Sequence, residues 1–204
     1  MLGIAKMAGD MAIGRPRTFD MDQALDRALD VFWRKGYEGA SICDLTAAMG
    51  INPPSLYAAF GKKEGLFRKA LDRYAETRAG FVREALARPK ARDGIAALLN
   101  GTADFLTDKC NPAGCLLVQG IAGAGEHAQC IRDELSARRA ASEKAIRERL
   151  KQAKAEGELP KDADPAALAR FIATVTQGMA VQAAAGATRA ELRRVAATAL
   201  RALP

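Results

Sequence analysis

The stretch GASICDLTAAMGINPPSLYAAFGKKEGLF, residues 39–67, decides the fold because it predicts two short helices joined by a tight turn. Ser41 followed three residues later by Asp44 is typical of a capped helix start, and Gly50 is typical of a helix end. The apolar face of this first helix consists of Ile42, Leu45 and Met49.

The second of these helices follows at once. Asn52 is its expected cap, and the two prolines after it fall in the first turn, where backbone N–H groups have no helical partner in any case. Leu56 and Phe60 stand four residues apart and therefore share the face that packs inward. Because Gly61 comes next, the helix is barely two turns long.

A longer helix precedes this pair at about residues 20–35, and Gly36 ends it. Its apolar residues recur at helical steps and are Met21, Leu25, Ala28, Leu29 and Phe32. Two short helices with a glycine turn, supported by a preceding helix, form the helix-turn-helix geometry, in which the second helix reads the major groove of DNA. On spacing alone, an ordinary helical hairpin is the alternative.

The outer face of the second helix carries small and polar side chains. The residues expected there are Ser55, Tyr57, Ala58 and Ala59. Alanine methyl groups suit contacts with thymine, and a serine hydroxyl donates or accepts hydrogen bonds at base edges. Lys62 and Lys63 follow the helix, where they can meet phosphates, and Arg15 and Arg17 form a basic arm able to enter a minor groove.

These residues also carry a resemblance to a known family. The segments DLTAAMGI, SLYAAF and KKEGLF within residues 39–67 closely resemble the signature of the TetR family of repressors. The resemblance is strong over about residues 15–70, and beyond them it extends only to the order and length of the helices. It implies that the helical pair binds DNA.

The resemblance implies roles for single residues as well. Pro54, Ser55 and Tyr57 match positions that usually touch DNA, and Lys63 matches the usual phosphate-binding lysine. The two alanines after Tyr57 stand where larger polar side chains are common in the family, so the operator sequence stays open. The full set of candidate DNA-binding residues is Arg15, Arg17, Ser41, Asn52, Pro54, Ser55, Tyr57, Ala58, Ala59, Lys62 and Lys63.

The rest of the chain predicts helices only. The apolar spacing from Phe67 to Ala85 indicates one long fourth helix. Further helices are expected at about 92–107, 114–124, 128–156, 165–185 and 189–203. The expected fold is all-α, with about nine helices, in which a three-helix DNA-binding head and a helical body share the fourth helix. The expected domains are a flexible N-terminal extension over 1–14, the helix-turn-helix domain over 15–63, and a ligand-binding and dimerisation domain over 64–204.

Composition places the chain among ordinary globular proteins. Of its 204 residues 49% are hydrophobic and 27% are charged, so it can bury a core without disulfide or metal staples. The net charge of +7 permits a polyanionic partner. Residues 1–63 nevertheless carry 8 Lys and Arg against 7 Asp and Glu, so the DNA argument depends on where the charges stand.

Sequence features also bear on location. The first 14 residues contain no recognisable secretory signal, so the protein is expected in the cytoplasm. The uncharged stretch over residues 171–188 has the length of a membrane span, but its Thr and Gln side chains favour a buried packing helix, and no membrane partner is expected. The four cysteines are expected as free thiols.

An enzyme is the alternative of a different class. His127 is the only histidine and stands in no catalytic signature, and the glycines of residues 120–125 lack the spacing of a nucleotide loop. We therefore expect no enzyme activity, no cofactor and no metal. Cys110, Cys115, His127 and Cys130 leave a zinc or thiol-redox role open, although their spacing is not that of a zinc knuckle and free cysteines are commonly buried.

The body is larger than the head and needs a role of its own. In the TetR family the corresponding region encloses a ligand cavity, so the resemblance implies an unknown small-molecule effector. The alternative is that the same side chains are simply core. The candidate ligand-binding residues are Phe67, Tyr74, Phe81, Phe105, Cys115, Leu117, Val118 and Phe171.

Two apolar stripes near the C-terminus predict a homodimer. They run along the helices at 165–185 and 189–203, and one such pair of helices cannot hide both stripes together with their alanine-rich flanks. A four-helix bundle with a second copy would bury them, as the resemblance also implies; the alternative is that both face the chain's own core. The candidate interface residues are Phe171, Val175, Met179, Leu192, Val195 and Ala199.

The function expected from these features is sequence-specific regulation of transcription. A dimer would bind a palindromic double-stranded DNA operator as a repressor, and a small molecule would release it by binding one of two conformational states more tightly. Activation stays open, as do a helical DNA-binding protein without an effector and a thiol-based redox sensor.

Overall fold

The computed structural model describes residues 19–120 and 126–204, with residues 126–128 described by their backbone alone. Over these ranges the chain forms ten α-helices and one π-helical turn, and no β-strand. The all-α prediction is confirmed. The predicted extension over residues 1–14 and the predicted basic arm with Arg15 and Arg17 lie outside the described residues.

Three helices form the head. They are α1 (Met21–Gly39), α2 (Ile42–Met49) and α3 (Pro53–Phe60). Gly36 was predicted to end this helix; it has a positive φ of 69° and kinks α1, and the helix continues to Gly39. Gly50 joins α2 to α3 in the left-handed region, also with a φ of 69°. Because L side chains rarely adopt this conformation, the tight turn favours glycine there.

The predicted long fourth helix is instead divided into three parts. They are α4, a π-helical turn and α5, which span Lys63–Arg73, Tyr74–Arg78 and Phe81–Leu86. The Ala79 N–H donates to the Tyr74 carbonyl oxygen (2.9 Å), which is the wider spacing of a π-helix. A side chain at Gly80 would lie 3.2 Å from the Glu76 carbonyl oxygen. The prediction of a single helix is wrong, because the spacing of apolar residues does not reveal that one turn contains an extra residue.

Five further helices complete the body. They are α6 (Ala91–Leu106), α7 (Leu116–Gln119), α8 (Glu126–Ala155), α9 (Pro165–Ala184) and α10 (Arg189–Arg201). The helix expected at about 114–124 is described only as the single turn of α7, and residues 121–125 lie outside the described ranges. None of the helices described is long and apolar enough to cross a membrane.

Two hydrophobic cores lie along the chain. The head core is formed by α1, α2 and α3 and also contains Phe67 and Leu71 of α4. The body core lies between α6, α8, α9 and α10. Phe105 and Cys115 pack against both cores, which places these two side chains at the junction between head and body.

The two C-terminal stripes are divided between the inside and the outside of the chain. Met179, Leu192 and Ala199 are buried in the body core, because α9 and α10 pack against each other and against α6. Their assignment to a dimer interface is therefore corrected. Val175 is half-buried against the same core, whereas Phe171 and Val195 stay exposed at 38% and 43%.

Candidate nucleic-acid interface and ligand cavity

A reciprocal cap fixes the start of α2. The Ser41 hydroxyl accepts a hydrogen bond from the Asp44 N–H (3.0 Å), and Asp44 Oδ2 accepts one from the Ser41 N–H (3.1 Å). Lys35 Nζ lies 2.7 Å from Asp44 Oδ1, and the hydrogen bonds from Lys35 and Ser41 hold the pKa of Asp44 at about 2. The carboxylate therefore stays ionised at neutral pH, and the Ser41 hydroxyl is engaged in the cap.

The predicted recognition helix, α3, is held to the head core along one face. Leu56 and Phe60 are buried, and Asn52 Oδ1 accepts a hydrogen bond from the Ser55 N–H (2.8 Å). Ser55 and Ala59 were expected on the outer face, but both are half-buried. Ala59 stands three residues from Leu56, so it shares the inner side of the helix and packs against the core.

The exposed residues of α3 are Pro53, Pro54, Tyr57 and Ala58. Tyr57 is 50% exposed, although a large aromatic side chain is commonly buried in part. The small alanine beside it leaves the helix backbone free to approach another surface closely. An exposed ring with a hydroxyl, on a short and doubly anchored helix, is an arrangement suited to contact with base edges.

Two lysines stand where α3 ends and α4 begins. Lys62 is exposed and its side chain makes no capping hydrogen bond to α4, whose first turn also contains Glu64. Lys63 Nζ lies 4.5 Å from the centroid of the Tyr37 ring, a cation–π contact that positions its ammonium group. Burial lowers the pKa of Lys63 and raises the pKa of Tyr37 to about 12. This helix end is suited to hold a phosphate.

Ion pairs tie α4 and the π-helical turn to α1. Arg73 donates to both carboxylate oxygens of Asp26 (2.9 and 2.7 Å) and lies 3.6 Å from Asp22. The hydrogen bond from Arg73 lowers the pKa of Asp26. Arg78 lies 3.7 Å from Asp30, which stands about one turn after Asp26 on α1. A movement of α4 therefore has to carry α1 with it or break these contacts.

A partly open cavity of about 140 Å³ lies in the body. Three helices each line it with one face, at helical steps of three and four residues. These residues are Leu98, Thr102, Phe105 and Leu106 of α6, Arg139, Ser142, Glu143 and Ile146 of α8, and Ala173, Thr176, Gln177 and Ala180 of α9. The remaining wall is formed by Tyr74, Ala79, Phe81, Val82, Cys115, Leu117 and Val118.

Six of the eight candidate ligand-binding residues line this cavity, namely Tyr74, Phe81, Phe105, Cys115, Leu117 and Val118. Phe67 does not, because it is fully buried in the head core, with its ring centroid 4.9 Å from that of Phe32. Phe171 does not, because it is exposed on the outer face of α9. The polar lining residues, such as Thr102 and Gln177, were missed because their sequence positions do not distinguish a cavity wall from packed core.

Aromatic rings connect the cavity to the head. The Trp33 ring of α1 lies 4.9 Å from the Tyr74 ring and 5.6 Å from the Phe105 ring, measured between centroids. Phe105 in turn lies 5.5 Å from Phe81. Tyr74, Phe81 and Phe105 all line the cavity. A molecule placed there is therefore one side chain away from the first helix of the head.

The four cysteines differ in exposure. Cys43 and Cys110 are exposed, whereas Cys115 and Cys130 are half-buried. Cys115 Sγ lies 3.2 Å from the Tyr74 hydroxyl oxygen, and burial raises the pKa of its thiol. The side chain of His127 lies outside the described residues. Within the part of the chain whose side chains are described, no three His, Cys, Asp or Glu residues converge as metal ligands.

Two protein families match the chain. The family described as "Bacterial regulatory proteins, tetR family" matches residues 24–70, which contain the helix-turn-helix. The family described as "Tetracyclin repressor-like, C-terminal domain" matches residues 89–199, which contain most of the body.

Individual proteins are similar over most of the chain. The HTH-type transcriptional repressor ComR of Escherichia coli (strain K12) is 38% identical over 197 residues, which cover 94% of this chain and 92% of that protein. The repressor BdcR of the same organism is 39% identical over 110 residues, 53% of this chain and 55% of that protein. A solved structure of a cysteine mutant of the TetR family regulator CifR, complexed with 26-bp double-strand operator DNA, is 48% identical with a TM-score of 0.89, covering 93% of this chain and 100% of that chain.

Proposed function

Because this chain belongs to the TetR family of bacterial regulatory proteins, we propose that it represses transcription as a homodimer on a palindromic operator and that a small molecule in the body cavity releases it. It is a DNA-binding transcriptional regulator. The observation that carries the proposal is the exposed Tyr57 on α3, next to a helix end that bears Lys62 and Lys63.

The head divides into residues that read sequence and residues that anchor the backbone. Tyr57, with Ala58 and Pro54 beside it, faces the base edges in this proposal. Lys62 and Lys63 meet phosphates at the start of α4, where the helix dipole also favours an anion. Base contacts give specificity, whereas phosphate contacts give affinity that depends on salt.

Two single substitutions separate these roles. Tyr57→Ala is expected to weaken binding to the operator by about 1–3 kcal/mol and to leave binding to random duplex nearly unchanged. Lys63→Ala is expected to weaken binding to both similarly and to reduce the slope of log affinity against log salt by about one. The operator is first located by footprinting on the DNA upstream of the protein's own gene, and affinities are then measured at several salt concentrations.

Lys69→Ala is the matched control for the lysine, because Lys69 is exposed on the same helix α4 but stands beyond its first turn. It removes an equal charge and is expected to change the salt slope less than Lys63→Ala does. If Lys63→Ala changed the sequence preference and Tyr57→Ala did not, the residues of α3 assigned to the base edges would be the wrong ones. Equal affinity of the wild-type protein for operator and random DNA would favour a helical DNA-binding protein without an operator.

The release step depends on the contacts between cavity and head. A ligand against Tyr74 and Phe105 touches both rings that pack on Trp33. Tyr74 directly follows Arg73, which is paired with Asp26 of α1. A ligand that fits one arrangement of these side chains shifts α4 and α1 together, and so changes the separation of the two heads in a dimer.

The dimer in this proposal forms through α9 and α10. Among the described residues, four large hydrophobic side chains are exposed, and three of them, Phe171, Val181 and Val195, lie on these two helices. A side chain at Gly178, between the first two, would meet no atom within 4 Å, so a second copy can approach closely there. Two recognition helices about 34 Å apart can then enter successive major grooves.

Thiol sensing is a second candidate function, favoured by the position of Cys115 in the cavity wall. A small electrophile held in the cavity lies against this sulfur, next to the Tyr74 hydroxyl. The raised pKa of the thiol reduces the fraction of thiolate, which is the reactive form, so the reaction depends on a molecule that the cavity holds against the sulfur.

Alkylation tests this second function. Iodoacetamide forms a carbon–sulfur bond with Cys115, iodide leaves and the thiol proton passes to the buffer. We expect at least about a tenfold loss of operator affinity, since the adduct fills the cavity. Cys115→Ser should be insensitive, whereas Cys110→Ser, which removes an exposed thiol, should behave as the wild type. Operator binding that survives alkylation of Cys115, verified by mass spectrometry, would exclude thiol sensing through this residue.

A further inference from the structure

The cavity in the body is small. Its volume is about 140 Å³, close to the roughly 150 Å³ of an engineered apolar cavity that binds benzene. Sites for drug-sized molecules are usually about 300–1,000 Å³. The walls are mainly aliphatic and aromatic, from Leu98, Phe105, Val118 and their neighbours. Size and lining together point to a molecule of about one six-membered ring.

The charged groups in the wall already have partners. Arg139 donates to the Leu117 carbonyl oxygen (2.5 Å) and to the Ser136 hydroxyl (2.8 Å). Glu143 Oε1 accepts a hydrogen bond from Arg170 Nε (2.9 Å). An ionic ligand would have to displace one of these partners and would also lose its own hydration. The wall therefore favours an uncharged ligand.

The two threonine hydroxyls in the wall have an unequal hydrogen-bonding capacity, whereas Ser142 and Gln177, the other uncharged polar residues of the three lining helices, are exposed to solvent. The Thr102 hydroxyl donates to the Leu98 carbonyl oxygen (2.7 Å), and the Thr176 hydroxyl donates to the Ala173 carbonyl oxygen (2.9 Å). Each hydroxyl hydrogen is thus used within its own helix, and each oxygen keeps an acceptor site. A ligand that donates a hydrogen bond suits these two threonines better than one that only accepts.

We infer that the effector is a small uncharged molecule with an apolar body of about one ring and a single hydrogen-bond donor, such as an alcohol. This inference rests on the proposed effector function and names its ligand class. The donor meets the acceptor oxygen of Thr102 or Thr176, and the ring lies against Tyr74 and Phe105. Binding there changes the surroundings of Trp33, the only tryptophan in the chain.

An anionic ligand is the competing class. An open groove of about 660 Å³ shares Tyr74, Val82 and other wall residues with the cavity and is lined by Arg83, Arg138 and Arg149. Arg138 is paired with Asp72 and Glu134, but the buried Arg149 Nη1 has no hydrogen-bond partner among the described residues. The test therefore includes an anion of the same ring size.

Three probes with one ring size separate the classes: cyclohexanol, which donates; cyclohexanone, which only accepts; and cyclohexanecarboxylate, which is an anion. Binding is followed by Trp33 fluorescence and, separately, by release of operator DNA. We expect cyclohexanol to bind about 3- to 10-fold more tightly than cyclohexanone, the range of one hydrogen bond, and the carboxylate to bind more weakly than both. Thr102→Val together with Thr176→Val should abolish the preference for cyclohexanol.

A cavity-filling variant locates the bound probe. Ala180→Leu adds side-chain volume to the wall and should weaken cyclohexanol binding by about tenfold or more. Ala137→Leu makes the same change on the exposed side of α8 and should have no effect. Because Ala180→Leu also risks overpacking, its circular dichroism and operator affinity are measured without probe.

The outcomes distinguish the ligand class from the proposed function. The inferred ligand class would be overturned if the carboxylate bound most tightly. It would also be overturned if Ala180→Leu were folded and still bound cyclohexanol as the wild type does. Neither result would contradict repression at the operator. A wild-type protein that binds cyclohexanol in the cavity but prefers no operator would support the cavity assignment and contradict the proposed repressor.

Discussion

Replacing Phe67 by alanine is expected to lower the free energy of unfolding by about 3–5 kcal/mol, the usual range for a buried Phe→Ala change. Phe67 is fully buried at the point where α4 packs on α1. Its ring lies edge-on to Phe32 at 4.9 Å and to Tyr37 at 5.2 Å, between centroids, so the substitution also removes two aromatic contacts. Urea unfolding followed by circular dichroism measures the loss.

The Phe67→Ala substitution should also disturb the DNA-binding head. Tyr37 also lies under the Lys63 ammonium group, so loosening of this aromatic cluster disturbs a phosphate-binding lysine of the proposed interface. Tyr57→Ala serves as the matched control, because Tyr57 is aromatic but 50% exposed, and its removal should change stability by less than about 0.5 kcal/mol. A loss of stability as small for Phe67→Ala as for Tyr57→Ala would show that α4 is not packed as described.

Replacing Val195 by glutamate is expected to give a folded monomer with operator affinity on the order of a thousandfold lower than that of the wild type. Val195 is 43% exposed on α10, on the face proposed to meet a second copy. A carboxylate buried in the dimer interface without a partner disfavours the dimer. A single head retains only about the affinity of non-specific binding. Sedimentation and operator titration measure the two effects.

Ala197→Glu is the control for this prediction. Ala197 is also exposed on α10, but two residues further on, at 100° per residue, its side chain points to nearly the opposite side of the helix. This variant should remain a dimer and bind the operator normally. If Val195→Glu sediments as an intact dimer, the dimer interface lies elsewhere on the chain. We prefer Val195 to the half-buried Val175, because a charge at Val175 would also perturb the body core.

Local residue choice was sufficient to predict the head. The Ser41 and Asp44 cap, the left-handed Gly50 and the Asn52 cap act within three residues of themselves. Their effects on the backbone are therefore readable without knowledge of any distant neighbour. The all-α class followed for the same reason, since helical periodicity is a property of consecutive residues.

In the body, helix spacing predicted which residues share an apolar face. It did not predict which neighbouring helix covers that face. Met179, Leu192 and Ala199 share apolar stripes with exposed residues, yet they are buried within the chain. A stripe shows that a face is apolar, whereas the order in which α6, α9 and α10 pack determines how much of it remains outside. The same limit explains why Phe67 and Phe171 were both predicted to line the ligand cavity. Phe67 lies in the head core, and Phe171 lies on the surface.

The sequence by itself therefore determined the three helices of the head, the caps at Ser41 and Asn52 and the exposure of Tyr57 and Ala58, because these depend on contacts a few residues apart. Only the tertiary structure decided where the cavity lies, which hydroxyls and thiol line it, and how its rings touch Trp33. Tyr74 of the π-helical turn is far in sequence from Phe105 of α6 and from Cys115, which precedes α7, and only the packing of these elements brings the three together. A cavity is the space that packed helices leave unfilled, so it depends on all of them at once.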